Sequence, residues 1–176
     1  MIITVSGPAG SGKTTLASLI SGKLGYKLIS TGSIFRQIAS ERGIGVVEMN
    51  LLAESDYEID IALDKRVVAE AARQADCVVE GRLSCHMIKR AGLSALSVFL
   101  DASFGTRMER ISERDGITYE EAVRQTLMRE ESEKRRYLKI YGIDRDDMSC
   151  YDAVLDSTAM LPDELAENVM RRLYRE

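Results

Sequence analysis

Nine residues near the start of the chain, Gly7-Pro8-Ala9-Gly10-Ser11-Gly12-Lys13-Thr14-Thr15, have the types and spacing that hold a polyphosphate. Glycines at 7, 10 and 12 let the backbone fold around an anion, and the amides that follow point inward at the start of a helix. Lys13 is placed to reach the β- and γ-phosphates, and the Thr14 hydroxyl to ligate magnesium. Glycine-rich turns occur in many strand-to-helix connections. The full Gly-x-x-x-x-Gly-Lys-Thr between an apolar run and an apolar-periodic stretch implies more, a site for a nucleoside triphosphate.

Arginines supply the next candidates. Arg36 lies four residues beyond Gly32, so a helix starting near Thr31 places its guanidinium one turn in; Arg82 follows Gly81 directly after an apolar run. Together they are able to clamp one phosphate from two sides. Arg107, Arg110 and Arg114 fall at i, i+3 and i+7, and Arg129, Glu133 and Arg136 at i, i+4 and i+7 give the same one-sided geometry further on, with a turn at Asp115-Gly116 between the two groups. The result is a helical hairpin presenting up to five guanidinium groups, beside an ordinary charged exterior of Glu–Arg pairs. His86 is the single histidine and reads as structural. Paired catalytic carboxylates, Ser/His/Asp sets and metal-ligand clusters are absent from the pattern, and phosphoryl transfer does not require them.

The elements that must position these residues follow from periodicity. Short β-rich runs at 2–5, 26–29, 77–80, 96–100 and 153–155 alternate with helical patterns at 13–24, 32–42, 46–54, 57–75, 84–91, 103–114, 118–140 and 162–175. This alternation predicts an α/β fold, a five-stranded parallel sheet with helices on both faces, whose ligand sits where the loops leave the strand ends. Thr118 with Glu121 three residues on is a capping-box pattern that starts the long helix. With 176 residues, 45% of them hydrophobic, the chain is long enough for one sizeable core and short for two. A net charge of −4 argues against non-specific nucleic-acid binding, and no apolar stretch is long enough to span a membrane or serve as a signal peptide. Cysteines at 77, 85 and 150 show no zinc or Cys-x-x-Cys spacing, so buried or inert thiols in a reduced, cytoplasmic monomer are expected.

The phosphate loop at the N-terminal edge, Ser30-Thr31-Gly32 with Arg36, Gly81-Arg82 after the third strand and the arginine-rich hairpin resemble the P-loop nucleoside monophosphate kinases along the whole chain. Within that family, Arg-Glu-Glu-Ser-Glu-Lys-Arg-Arg at 129–136, followed by Tyr-Asp-Ala-Val-Leu-Asp-Ser-Thr at 151–158, is similar to cytidylate kinases, and 136–144 through Tyr141-Gly142-Ile143-Asp144 looks like the archaeal type. The resemblance implies a single P-loop kinase domain over 1–176, with a monophosphate-binding helical flap at about 31–75 and an arginine-rich lid at about 107–136. It implies ATP with Mg2+ held by residues Gly7 to Thr15, with Thr14 on the metal and Lys13, Arg110 and Arg136 acting on the transferring phosphate. Thr31, Gly32, Arg36, Gly81 and Arg82 would hold the phosphate of CMP or dCMP, and Arg129 with Glu133 would face the cytidine. Bacterial cytidylate kinases follow Gly-Arg with an acidic residue where this chain has Leu83, and carry a large inserted domain for which 40–60 is too short. Adenylate kinase is the nearest alternative, but it typically has Gly-Phe-Pro-Arg where Glu80-Gly81-Arg82-Leu83 stands here. An ATP-dependent switch or assembly protein is the alternative from another class; it would commonly need a strand-ending acidic residue for magnesium, for which Glu80 and Asp101 are partial candidates.

Overall fold

The run Ile-Ile-Thr-Val-Ser at Ile2–Ser6 (β1) is buried along its whole length, which places it in the middle of a sheet covered on both faces. A computed structural model, described over residues 1–173, shows how. Strands Lys27–Ser30 (β2), Cys77–Glu80 (β3), Ala95–Asp101 (β4) and Ala153–Asp156 (β5) join β1 in one parallel sheet of order β2-β3-β1-β4-β5. Successive β1 side chains serve opposite faces, as the strand period of two requires. Ile2 packs with Ile29, Cys77 and Val79 beneath helices Thr31–Glu41 (α2), Val46–Ser55 (α3) and Glu58–Ala72 (α4). Ile3 and Val5 pack with Val78, Val98 and Leu100 against Lys13–Leu24 (α1) and Pro162–Leu173 (α8). Edge strand β5 alternates instead, with Ala153 and Leu155 buried and Val154 and Asp156 exposed.

The expected elements are all present, with ends displaced by no more than three residues. The stretch expected at 57–75 is helical as Glu58–Ala72, and residues 174–175 of the last expected helix lie outside the described residues. In the short helix Ser84–Arg90 (α5), Cys85 and Ile88 are buried. The arginine hairpin comprises Phe104–Asp115 (α6) and Tyr119–Tyr141 (α7), held together by Met108, Ile111 and Ala122. Between them Gly116, at φ 66°, closes α6 with a left-handed cap. Thr118 caps α7 by accepting from the Glu121 amide at 3.2 Å, but the Glu121 carboxylate turns outward to Arg124 and Gln125, so only half of the capping box forms.

The cysteine expectation is corrected. Cys85 at the start of α5 and Cys150 in the single turn Met148–Cys150 are joined by a disulfide, and only Cys77 remains a buried thiol. The pair lies 65 residues apart in sequence, and the return of the chain from α7 to β5 brings the two Cα atoms to 6.4 Å, within disulfide reach. Among the described residues no helix is long and apolar enough to cross a membrane.

Candidate active site

The loop between β1 and α1 is shaped from outside by what its carbonyls meet. Lys13 Nζ donates to the Pro8 carbonyl (3.3 Å), Arg107 to Ala9 (3.1 Å), Arg110 to Gly10 (3.4 Å) and the Ser157 hydroxyl to Ser11 (2.7 Å). With four successive carbonyls engaged, the loop presents its amides at the start of α1, where the first N–H groups have no partner within the helix. Gly12, the residue capping α1, supplies no side-chain cap, and this end is a ready site for an anion. The loop also lies against α6 so closely that a Cβ on Gly10, already at φ 79°, would stand 2.5 Å from the Arg107 carbonyl oxygen. No residue but glycine fits there.

Lys13, one turn into the site, sits largely buried 3.9 Å from Glu80. Burial, reinforced by the nearby Arg82 charge and opposed by Glu80, lowers its ammonium to about 8. Glu80 itself ends β3 in register with Ser30, whose hydroxyl donates to it at 2.8 Å. The strand ends therefore deliver a lysine, a carboxylate and a hydroxyl to one place.

A cleft of about 940 Å³ opens from this point toward α2, α4 and α7. It is lined by Ala9, Gly10 and Gly12 to Thr15 of the loop, by Thr31, Gly32, Arg36, Gly81 and Arg82, and by Arg110, Arg129, Glu133 and Arg136. These expected residues, scattered over more than 120 positions, thus share one cavity. Gly7, Pro8 and Ser11 form no part of its wall, and the buried Ser11 hydroxyl has no partner among the described residues.

The arginines meet partners that local spacing does not reveal. Arg36 is exposed and bonds only Ser33, at 3.0 Å, within its own helix. Arg82 instead forms a close ion pair with the buried Glu133, whose other oxygen accepts from Arg129 at 2.9 Å. Burial opposes ionisation of Glu133, yet Arg82, Arg129 and Arg145 together hold its carboxyl below the usual range. Arg136 pairs with the buried Asp60 of α4 at 2.8 Å and donates to Ser132, which in turn reaches Glu54 of α3. Arg107, expected on an open arginine face, is buried under the phosphate loop and paired with Glu130 at 2.8 Å. Most of the hairpin's guanidinium groups are therefore matched by carboxylates, Arg107, Arg114 and Arg129 by ones within the hairpin and Arg136 by Asp60 of α4, and Arg107 props the loop rather than lining the cleft.

Two groups escaped the sequence pattern, and Glu80 was expected only as a partial candidate for magnesium. Ser157 stands just past a strand end, which was a usable signal; Asp64 of α4, one turn beyond Asp60, flanks the buried stripe Ile59, Leu63 and Val67 and gave little. His86 is half-buried edge-on to Tyr151, and burial lowers its pKa, in keeping with a structural role.

The cytidylate kinase-like family matches the chain over residues 2–159. The cytidylate kinase of Pyrococcus furiosus is 44% identical over 163 residues, 93% of this chain and 83% of the relative. That of Sulfurisphaera tokodaii is 38% identical over 167 residues, 95% and 92% of the two chains. In fold the chain is similar to shikimate kinase from Aquifex aeolicus, with a TM-score of 0.62 at 16% identity over 98% of this chain and 96% of the other. A protein of Eubacterium ventriosum reaches a TM-score of 0.75 at 17% identity, covering 100% and 99%.

Proposed function

The chain belongs to the cytidylate kinase-like family, and from that premise we propose that it transfers the γ-phosphoryl group of ATP to CMP, and to dCMP, yielding ADP and the nucleoside diphosphate. The observation that carries this reading is the single cleft with a backbone anion cradle at one end and clustered arginines at the other. The loop amides and Lys13 hold the β- and γ-phosphates, and Arg36 with Arg82 holds the phosphate of the acceptor. The Thr14 hydroxyl and the Glu80 carboxylate, oxygen donors lining the same cleft, fit a hard divalent cation. Mg2+ held there would supply charge neutralisation to the polyphosphate.

The attacking oxygen belongs to a phosphate that is ionised at neutral pH, so the site has to position it and spread charge rather than remove a proton. Lys13 serves that need at the bridging oxygens. Arg110 and Arg136, on the two helices of the hairpin, reach the transferring group when the segment 107–136 closes as a lid over the flap 31–75. Closure requires Asp60 to share Arg136 with the incoming phosphate, and it excludes water that would otherwise accept the phosphoryl group.

A coupled assay of ADP release with CMP, dCMP, UMP and AMP tests the proposal. CMP and dCMP are expected to drive ADP formation strictly. Release without any monophosphate would favour the switch-protein alternative, and a preference for AMP the adenylate kinase alternative.

A further inference from the structure

Cytosine differs from uracil at one edge, where a 4-amino group donates and the 4-oxo group of uracil accepts. An acceptor placed there selects cytosine. Glu133 is poorly available, since Arg82 holds its Oε2 and Arg129 its Oε1. Leu83, next to the phosphate-holding Arg82, offers only apolar surface.

Helix α4 supplies acceptors instead. Asp60 and Asp64 stand one turn apart on the helix and both line the cleft, beside Leu63 and Tyr137, whose faces suit a planar base. Asp60 is committed to Arg136. Among the described residues Asp64 has no cationic partner: Tyr141 donates its neutral hydroxyl to Oδ2 at 2.6 Å, and none of them donates to Oδ1. Burial, with the like charge of Asp60 adding to it, raises this carboxyl to about 6. A half-buried carboxylate with one oxygen open to a substrate cleft gains most from a ligand that donates to it.

Resting on the cytidylate kinase reading, we propose that Asp64 accepts a hydrogen bond from the 4-amino group of the acceptor base and so sets the choice of CMP over UMP. Tyr141 ties Oδ2 to α7, a contact that serves packing and leaves Oδ1 for the base. With UMP bound, two acceptors would face each other and both would stay unpaired, which is the situation in which a hydrogen-bonding site discriminates strongly.

The test compares kcat/KM for CMP and UMP, KM for ATP and the melting temperature in the wild-type enzyme, Asp64→Asn and Tyr141→Phe. Asp64→Asn is expected to lower the CMP/UMP ratio about tenfold or more, because its amide can donate to the 4-oxo group, while KM for ATP holds. Tyr141→Phe lowers the melting temperature but keeps the ratio within about twofold. An unchanged ratio in Asp64→Asn would overturn the assignment and leave Asp64 as a strut to α7. Should Asp64→Asn not fold, carbodiimide labelling of the wild-type enzyme decides: CMP shields Asp64 and UMP does not, and equal shielding overturns the assignment. A wild-type enzyme without CMP activity would overturn both this inference and the activity on which it rests, whereas CMP activity with an unmoved ratio overturns this inference alone.

Discussion

The two ends of the cleft are made of different material. At the loop end the anion-facing groups are backbone amides within a few residues of one another, and the opposite side of the same peptides is fastened by Lys13, Arg107, Arg110 and Ser157. At the far end the contacts are side chains from α2, α4, α7 and the turn after β3, and most arrive already paired: Arg82 and Arg129 with Glu133, Arg136 with Asp60, Tyr141 with Asp64. A fastened backbone has nothing to rearrange when an anion binds. A network of ion pairs must share or exchange partners, which ties recognition of the acceptor to the packing of three helices.

That contrast breaks most readily at Lys13. Lys13→Ala is expected to cut kcat by about 100-fold or more with an unchanged melting temperature, because it removes charge stabilisation from the transferring phosphate while deleting a lysine that burial already disfavours. Near-normal turnover in steady-state assays would show that the amides suffice alone.

A smaller effect separates the arginines at the other end. Arg36→Ala should lower kcat/KM for CMP about tenfold without loss of stability, since Arg36 is exposed and bonds only Ser33. Arg82→Ala should cost a similar factor and also destabilise the fold by up to about 3 kcal/mol, because the buried Glu133 loses its close ion pair and keeps only Arg129 in hydrogen-bond contact. Equal denaturation midpoints for the two variants would deny that this end is a coupled network.

The smallest effect is one of pH. Lys13 titrates near 8, so between pH 8 and pH 9 KM for ATP should rise about fivefold while KM for CMP, whose phosphate does not rest on Lys13, stays flat. The same shift gives a stability signature. Between about 8 and 10.5 the unfolded chain holds this proton and the folded chain does not, so Lys13's contribution to stability rises with pH across that window. Parallel changes in both KM values would remove the distinction between the two ends.

The division between local and long-range construction also governs what the sequence discloses. The phosphate loop, the alternation of strand and helix and the Thr118 cap are written in neighbouring residues, and all are found where those residues place them. Arg129 and Glu133 do meet at i, i+4, as helix geometry dictates, but that Arg82 takes the other Glu133 oxygen depends on how α7 crosses the end of β3. Asp60 with Arg136 is a contact across 76 residues and Tyr141 with Asp64 across 77, distances over which periodicity carries no information. The disulfide was hidden for the same reason.

That disulfide joins the point where the chain departs for β4 and the hairpin to the point where it comes back, so the whole arm of α6 and α7 leaves and returns through one covalent knot. A single proteolytic cut at the hairpin tip, beside Gly116, would consequently release no fragment. The nicked enzyme would migrate as one species until reductant is added and as two pieces afterwards, giving a molecule of unaltered composition in which the two helices of the arm are no longer joined at their far end.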